Sequence, residues 1–206
     1  MSSVQYFKEV AQDWDQMADS FFGDSPRDTI YSNANWSCIE TVADLGCGAG
    51  YLSEGLSDRS VQIIAVDQSQ EMLEIMKTKL GDENIEYKKG DGGSIPLSDN
   101  SVDLAMANMF LHHVDEPEKT INEAYRIVKP GGQCIFTDLD EHDNEFLVTE
   151  QHDKWMGFKR EDIIRWMTNA GFKNVTIDCV GADCCASSCR SDAEAKVSIF
   201  IAKGEK

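Results

Sequence analysis

Positive charge is scarce in this chain. Its 206 residues hold 19 Lys and Arg against 37 Asp and Glu, a net charge of −18, and a surface of that sign repels phosphate backbones and anionic lipid. Nucleic acid and membrane surfaces are therefore not expected as partners. No apolar run approaches the roughly 18 residues that a spanning helix needs. The opening MSSVQYFKEVAQDWDQ also lacks the apolar stretch of a signal peptide, so the expected location is the cytoplasm. An even cysteine count is missing too. The seven cysteines, at 38, 47, 134, 179, 184, 185 and 189, are expected to be reduced there, as core fillers, ligands or reactive thiols before disulfides. There is no internal repeat, linker or low-complexity segment. With 41% hydrophobic residues, raised to roughly 48% by glycine, the composition is that of a globular chain, and its length suits one domain over residues 1–206.

What is present is a pattern of alternating elements. Phe7, Val10, Trp14, Met17 and Phe21 recur every three or four residues, which predicts an amphipathic helix over 4–19. A second helix is expected from Ser25-Pro26, with Ser25 as its cap, ending before Trp36; residues 1–36 would then form a helical cap on a core of 37–206. Short apolar runs at 41–45, 62–66, 85–88, 102–107 and 133–139 read as strands, with helices between them near 50–57, 70–80 and 117–128. Such alternation implies βαβ units, a mostly parallel sheet and helices on both faces. Lys129-Pro130-Gly131-Gly132 and Asn169-Ala170-Gly171 are helix stops. The runs 174–180 and 195–203 have no helix between them and are expected to pair as an antiparallel hairpin.

The strand Val42-Ala43-Asp44-Leu45 runs into Gly46-Cys47-Gly48-Ala49-Gly50, a turn in which a ligand can approach backbone that bears no Cβ and meet free N–H groups of the next helix. A dinucleotide fingerprint would need glycine at position 51, where the chain has Tyr51. That spacing argues against a nicotinamide cofactor and an oxidoreductase. Asp67 closes the second strand 17 residues beyond Gly50, a suitable place to accept both ribose hydroxyls. Asp91, between Gly90 and Gly92, closes the third, where a carboxylate can accept from an adenine amino group; taken singly, an Asp after a strand is more often a helix cap or turn residue.

Through ADLGCGAGYLS, IIAVDQSQEML, KKGDGGSIPLSDNSVDLAMANMFLHHV and AYRIVKPGGQCIFTDL the chain resembles the class I S-adenosylmethionine-dependent methyltransferases, in particular the small-molecule group that includes quinone and metalloid enzymes. The resemblance implies a Rossmann-like, doubly wound sheet of seven strands with the last antiparallel. It also implies site roles. Gly46, Cys47, Gly48 and Gly50 would lie beside the methionine part of S-adenosylmethionine, with Asp44 orienting their loop. Asp67 and Gln68 would lie at the ribose, Asp91 and Gly92 at the adenine, and Asn108 facing the methyl group. Tyr6, Trp14 and Phe21 would be lid residues.

The acceptor is a small molecule on this reading, and two places invite it. A parallel sixth strand ending near Val180 delivers GADCCASSCRSDAEA to the cofactor edge, so Cys179, Cys184, Cys185 and Cys189 stand at the entrance as soft ligands for a metal, a metalloid or a thiol substrate. A structural zinc ion, a disulfide or no shared role are the other readings of these cysteines, whereas Cys38, Cys47 and Cys134 read as scattered filler. His112 and His113 follow Asn108, where an imidazole can act as base toward an oxygen or nitrogen acceptor such as a quinone-like ring; a cap or packing role is the other, more common reading of such a His. Glu141-His142-Asp143 and His152-Asp153 carry metal-ligand residue types but read as solvated loop charge, and Met106 and Met109 read as core. The function expected is methyl transfer. A cofactor-binding or metal-sensing protein with the same fold and no turnover is the alternative.

Overall fold

The computed structural model describes residues 21–188 and 191–206; the helix expected over 4–19, with Tyr6 and Trp14, and Cys189 lie outside the described residues. Seven strands, β1 (Thr41–Leu45), β2 (Gln62–Asp67), β3 (Ile85–Lys89), β4 (Val102–Asn108), β5 (Val128–Leu139), β6 (Lys173–Ser187) and β7 (Glu194–Glu205), form one sheet in the order β3-β2-β1-β4-β5-β7-β6. The first five are mutually parallel, and β7 is antiparallel to both β5 and β6. The chain order reverses direction across the sheet between β1 and β4, and parallel strands of this kind place their carboxyl ends, and hence a ligand crevice, on one edge.

Alternation along each strand sends successive side chains to opposite faces, and both faces are covered. On one, Ala105, Phe136, Phe200 and Ala202 meet Ile121, Ala124 and Ile127 of α4 (Pro117–Ile127) and Ile163 and Met167 of α5 (Arg160–Ala170). On the other, Val42, Leu104, Met106, Ile135 and Ile201 meet Ile30 of α1 (Ser25–Asn33) and Leu52 and Leu56 around α2 (Tyr51–Glu54). A fifth helix, α3 (Gln70–Leu80), opens on Ser69, whose hydroxyl accepts from Met72 N at 3.3 Å. Glu123 and Arg126 of α4 grip the segment that follows Asp91: Ile95 N donates to Glu123 Oε2 at 2.9 Å, and Arg126 donates to the carbonyls of Ile95 and Leu97.

Two expectations are corrected. Asp24, not Ser25, occupies the cap position of α1. This helix packs its Ile30 on the sheet, so of the described part of residues 1–36 it is Phe21 and Phe22 that reach a cavity. The segment after Val180 is not a loop but the outer half of β6: Cys184 pairs with Val197, Cys185 with Lys196 and Ala186 with Ala195, after a register shift between Cys179 and Asp183 at Gly181 (φ +84°). A run of Gly, Ala, Asp, Cys and Ser has little strand propensity of its own; the ladder of β7 holds it extended.

Phe136 is fully buried between β5 and the α4–α5 layer. Phe136→Ala is expected to cost about 3–5 kcal/mol, read as a lower urea midpoint at unchanged slope.

Candidate active site

A cavity of about 350 Å³ opens at the carboxyl edge of β1, β2, β3 and β4. Asp44, Gly46, Cys47, Gly48, Asp67, Gln68, Asp91, Gly92 and Asn108, the described residues assigned to the cofactor from sequence, all line it. Gly50 stands behind this wall with φ +96°, where it starts α2. Gly46 has φ +67°, and a Cβ there would run into the Phe110 ring. At Gly92 a Cβ would lie 2.8 Å from Thr120 Oγ1 and 3.0 Å from Phe110 Cζ. The glycines thus make room for the aromatic ring as well as for a ligand, a role that spacing did not indicate.

Buried carboxylates organise the floor. Asp67 accepts from Gly48 N at 2.9 Å and from Ser69 N at 2.8 Å; burial raises its pKa against the pull of these donors. Asp44 is 1% exposed and accepts from Ser53 Oγ at 2.6 Å. Burial pushes its carboxyl up to about 7, the Ser53 bond opposing and the charge of Asp67 adding. The Cys47 thiol is held well above its usual value by burial and then by Asp67 and Asp44, so it lines the cavity as an inert thiol. At the rim, Asp91 Oδ1 accepts from Gly93 N and Ser94 N, each at 2.9 Å. Tyr51, which displaced the third fingerprint glycine, donates to Gly23 O at 2.7 Å and packs edge-on against Phe22, ring centroids 5.2 Å apart. It anchors the chain ahead of α1 to the glycine turn.

Beyond Asn108 the chain turns sharply. Asn108 Oδ1 accepts from Thr137 Oγ1 at 2.8 Å, and Met109 sits at φ +50°, a left-handed conformation unusual for a bulky residue. Met109, expected in the core, is half-buried and lines two cavities; Met106 is core as expected. The second cavity, about 50 Å³, is lined by Phe21, Leu147, Cys184 and the trio His112, His113 and Asp153, and it shares Phe22, Met109 and His113 with the larger one.

The two histidines differ. His112 does not line the larger cavity; its Nδ1 is 2.6 Å from Asp138 Oδ1. Burial opposes its charge, yet Asp138 and Asp153 together raise its pKa to about 9, which keeps it protonated and disfavours the base role expected from sequence. For His113, burial and then the neighbouring His112 charge hold the pKa well below the usual value, leaving a neutral ring 4.0 Å from that of His112 between centroids. Asp153, read as solvated, is 6% exposed; Glu141 and Asp143 are exposed as read.

The cysteine cluster does not assemble among the described residues. Cys184 and Cys185 are adjacent on a strand and so face opposite ways: Cys184 is half-buried against the smaller cavity, while Cys185 and Cys179 are exposed. All three are free thiols. The metal-ligand types that do gather among the described residues are His112, His113 and Asp153. Cys38, read as filler, is exposed; Cys134 is buried as read. Sequence reading missed Asp138, Phe22 and Phe110, none of which carries a motif signal.

The comparisons agree with this geometry. Residues 43–136 match a family model described as a methyltransferase domain. Over 101 residues the chain is 33% identical to the demethylmenaquinone methyltransferase of Clavibacter sepedonicus, covering 48% of this chain and 41% of that protein. Over 106 residues it is 30% identical to the arsenite methyltransferase of Halobacterium salinarum, covering 48% of this chain and 27% of that protein. The chain thus spans about two-fifths of the length of the first of these relatives. Among solved structures, a Haemonchus contortus phosphoethanolamine N-methyltransferase with phosphomonomethylethanolamine and S-adenosylhomocysteine superposes with a TM-score of 0.78 at 15% identity, covering 98% of this chain and 58% of that one.

A carboxyl whose native pKa is raised from 3.8 to about 7 favours the folded state most below about pH 4, and that contribution is lost as pH rises through 7. Asp44→Asn is therefore expected to flatten the fall in urea midpoint between pH 4 and 8 while weakening S-adenosylhomocysteine binding. A variant with the parent's slope would remove Asp44 from that account.

Proposed function

We propose, from the methyltransferase-domain match over residues 43–136, that the protein is a class I S-adenosylmethionine-dependent enzyme that methylates a small molecule whose reacting end enters the smaller cavity. The observation that carries the proposal is the junction of the two cavities at Phe22, Met109 and His113: the one that Asn108 also lines is large enough for a nucleoside cofactor, and the other adjoins it at those three residues. The lining fits S-adenosylmethionine. The Asp67 and Asp91 carboxylates are acceptors for hydroxyl and amino groups, and the turn at Gly46 and Gly48 offers close backbone approach.

When bound, S-adenosylmethionine supplies a methyl group already activated by its sulfonium. The chain's own residues then have to bind, orient and exclude water, which by positioning alone can account for several kcal/mol of the barrier. Asp67 and Asp91 fix the nucleoside end. Buried Asp44 and half-buried Asp67, both lining the larger cavity, would supply negative potential toward a cationic ligand held there. Phe22, Met109 and Phe110 wall the transfer region with apolar surface. Of the two histidines, His113 is the neutral one that reaches both cavities, so it is the imidazole available to an acceptor.

A soft acceptor is favoured over a quinone-like ring, because the smaller cavity is compact and Cys184 lines it. The cysteine role narrows accordingly to Cys184 among the described residues.

Calorimetry should show binding of S-adenosylmethionine and S-adenosylhomocysteine and none of NAD. Asp67→Ala should weaken it by about 1.5–3 kcal/mol, the range for a hydrogen bond to a charged group. Transfer of labelled methyl to arsenite or simple thiols, but not to catechols, is the expected acceptor pattern; labelling of catechols alone would replace the soft acceptor by an oxygen one.

A further inference from the structure

We infer that His112, His113 and Asp153 form a binding site for one divalent transition-metal ion of the zinc class, placed to hold the heteroatom of the acceptor beside the cofactor cavity. Its role rests on the methyltransferase reading; its existence does not.

Geometry comes first. One ligand atom from each of the three residues lies within 4.8 Å of the other two. His112 Nε2 is 3.8 Å and His113 Nδ1 is 3.9 Å from Asp153 Oδ1. A tetrahedral shell with bonds of about 2.0–2.2 Å sets neighbouring donors about 3.4 Å apart; both pairs that include Asp153 lie close to that spacing, and the two imidazole donors, within 4.8 Å of each other, would draw together on an ion. The donor set is chemically coherent. Two imidazoles and a carboxylate suit zinc, cobalt, nickel or iron, and three protein ligands leave a position for a substrate atom.

The surroundings support the ligands. Asp138 Oδ1 binds His112 Nδ1 at 2.6 Å and leaves Nε2 facing Asp153, the carboxylate–histidine arrangement that orients metal-bound imidazoles. That carboxylate is itself immobilised by the N–H groups of Phe110, Leu111 and Leu139. Charge points the same way. Asp138 and Asp153 are both buried, with side-chain exposures of 0% and 4%, around one another's histidine partner. A cation belongs at this point, and a divalent ion answers two carboxylates better than one proton does.

Placement gives the ion a use. All three residues line the smaller cavity, and His113 lines the larger one as well. An acceptor thiol bound to the ion would release its proton to water more readily, leaving a lone pair beside the larger cavity that His113 also lines. Cys184 shares the cavity. Its thiol is placed for a thiophilic ion to recruit it as a fourth ligand.

The test is metal uptake by the full chain, stripped with chelator and titrated with Co(II) in visible absorption and with Zn(II) in equilibrium dialysis. One equivalent of each is expected. His113→Ala and Asp153→Asn should abolish it, Asp138→Asn should weaken it roughly 10–100-fold, and Cys38→Ser should leave it unchanged. A single thiolate-to-cobalt band would add Cys184 to the shell. No stoichiometric uptake by the parent overturns the inference, as does a spectrum of several thiolates or uptake that survives His113→Ala with Asp153→Asn; the parent's own titration decides even if a variant fails to fold. S-adenosylhomocysteine affinity, measured alongside, should be unchanged in Asp153→Asn. Failure of the parent to bind that ligand while it takes up metal would sink the methyltransferase reading and leave the metal site standing.

Discussion

The Asp138 carboxylate is the point on which the active edge depends. It is fully buried at the end of β5 and accepts four N–H donors: Phe110 N and Leu111 N on one oxygen, His112 Nδ1 and Leu139 N on the other. A buried carboxylate without such partners would cost several kcal/mol. With them it becomes a clamp, because two of its donors belong to the turn after β4 and the other two to the residues that flank the cavities. The turn that carries Asn108, Met109 and Phe110 is fixed to β5 through Asp138 together with Thr137, whose hydroxyl donates to Asn108 and whose carbonyl accepts from Met109 N at 2.9 Å, and Met109 sits in this turn at φ +50°.

Around that clamp the site gathers more negative charge than a stable core would choose. Asp44, Asp67, Asp138 and Asp153 are all drawn into the protein, and burial raises the pKa of three of them. Each satisfies a local need: Asp44 receives Ser53, Asp67 receives the glycine turn, Asp138 receives the β4 turn. Together they make a field that suits cations. A sulfonium on one side of His113 and a metal ion on the other would both relieve it, so ligand binding and stability draw on the same electrostatic imbalance.

The hairpin of β6 and β7 supplies the far wall. β7 pairs with β5 through Gln133 to Leu139 and carries β6 outward. The outer half of β6 turns Cys184 and Ala186 toward Leu139, Leu147 and Phe22. The smaller cavity is thus closed by strand rather than by loop, and strand alternation decides that one cysteine of a neighbouring pair faces inward while the other faces water.

The order of elements and the sheet class were legible in the sequence, because each rests on local signals: short apolar runs, Gly171 at a helix end, Gly46 to Gly50 between strand and helix, and Asp67 and Asp91 after strands. These fix where the backbone must turn and which atoms the edge presents. The acceptor side was not legible. Cys184 and Cys185 look equivalent along the chain and are separated only by the ladder with β7. His112 and His113 look equivalent and are separated only by Asp138, which lies 26 residues further along. Asp153 reads as surface charge until Leu147 and the β6 strand bury it. Burial, pairing and pKa are properties of contacts between distant segments, so local sequence determined the scaffold and the cofactor turn, while tertiary packing decided which imidazole is neutral, which thiol faces inward and where a cation fits.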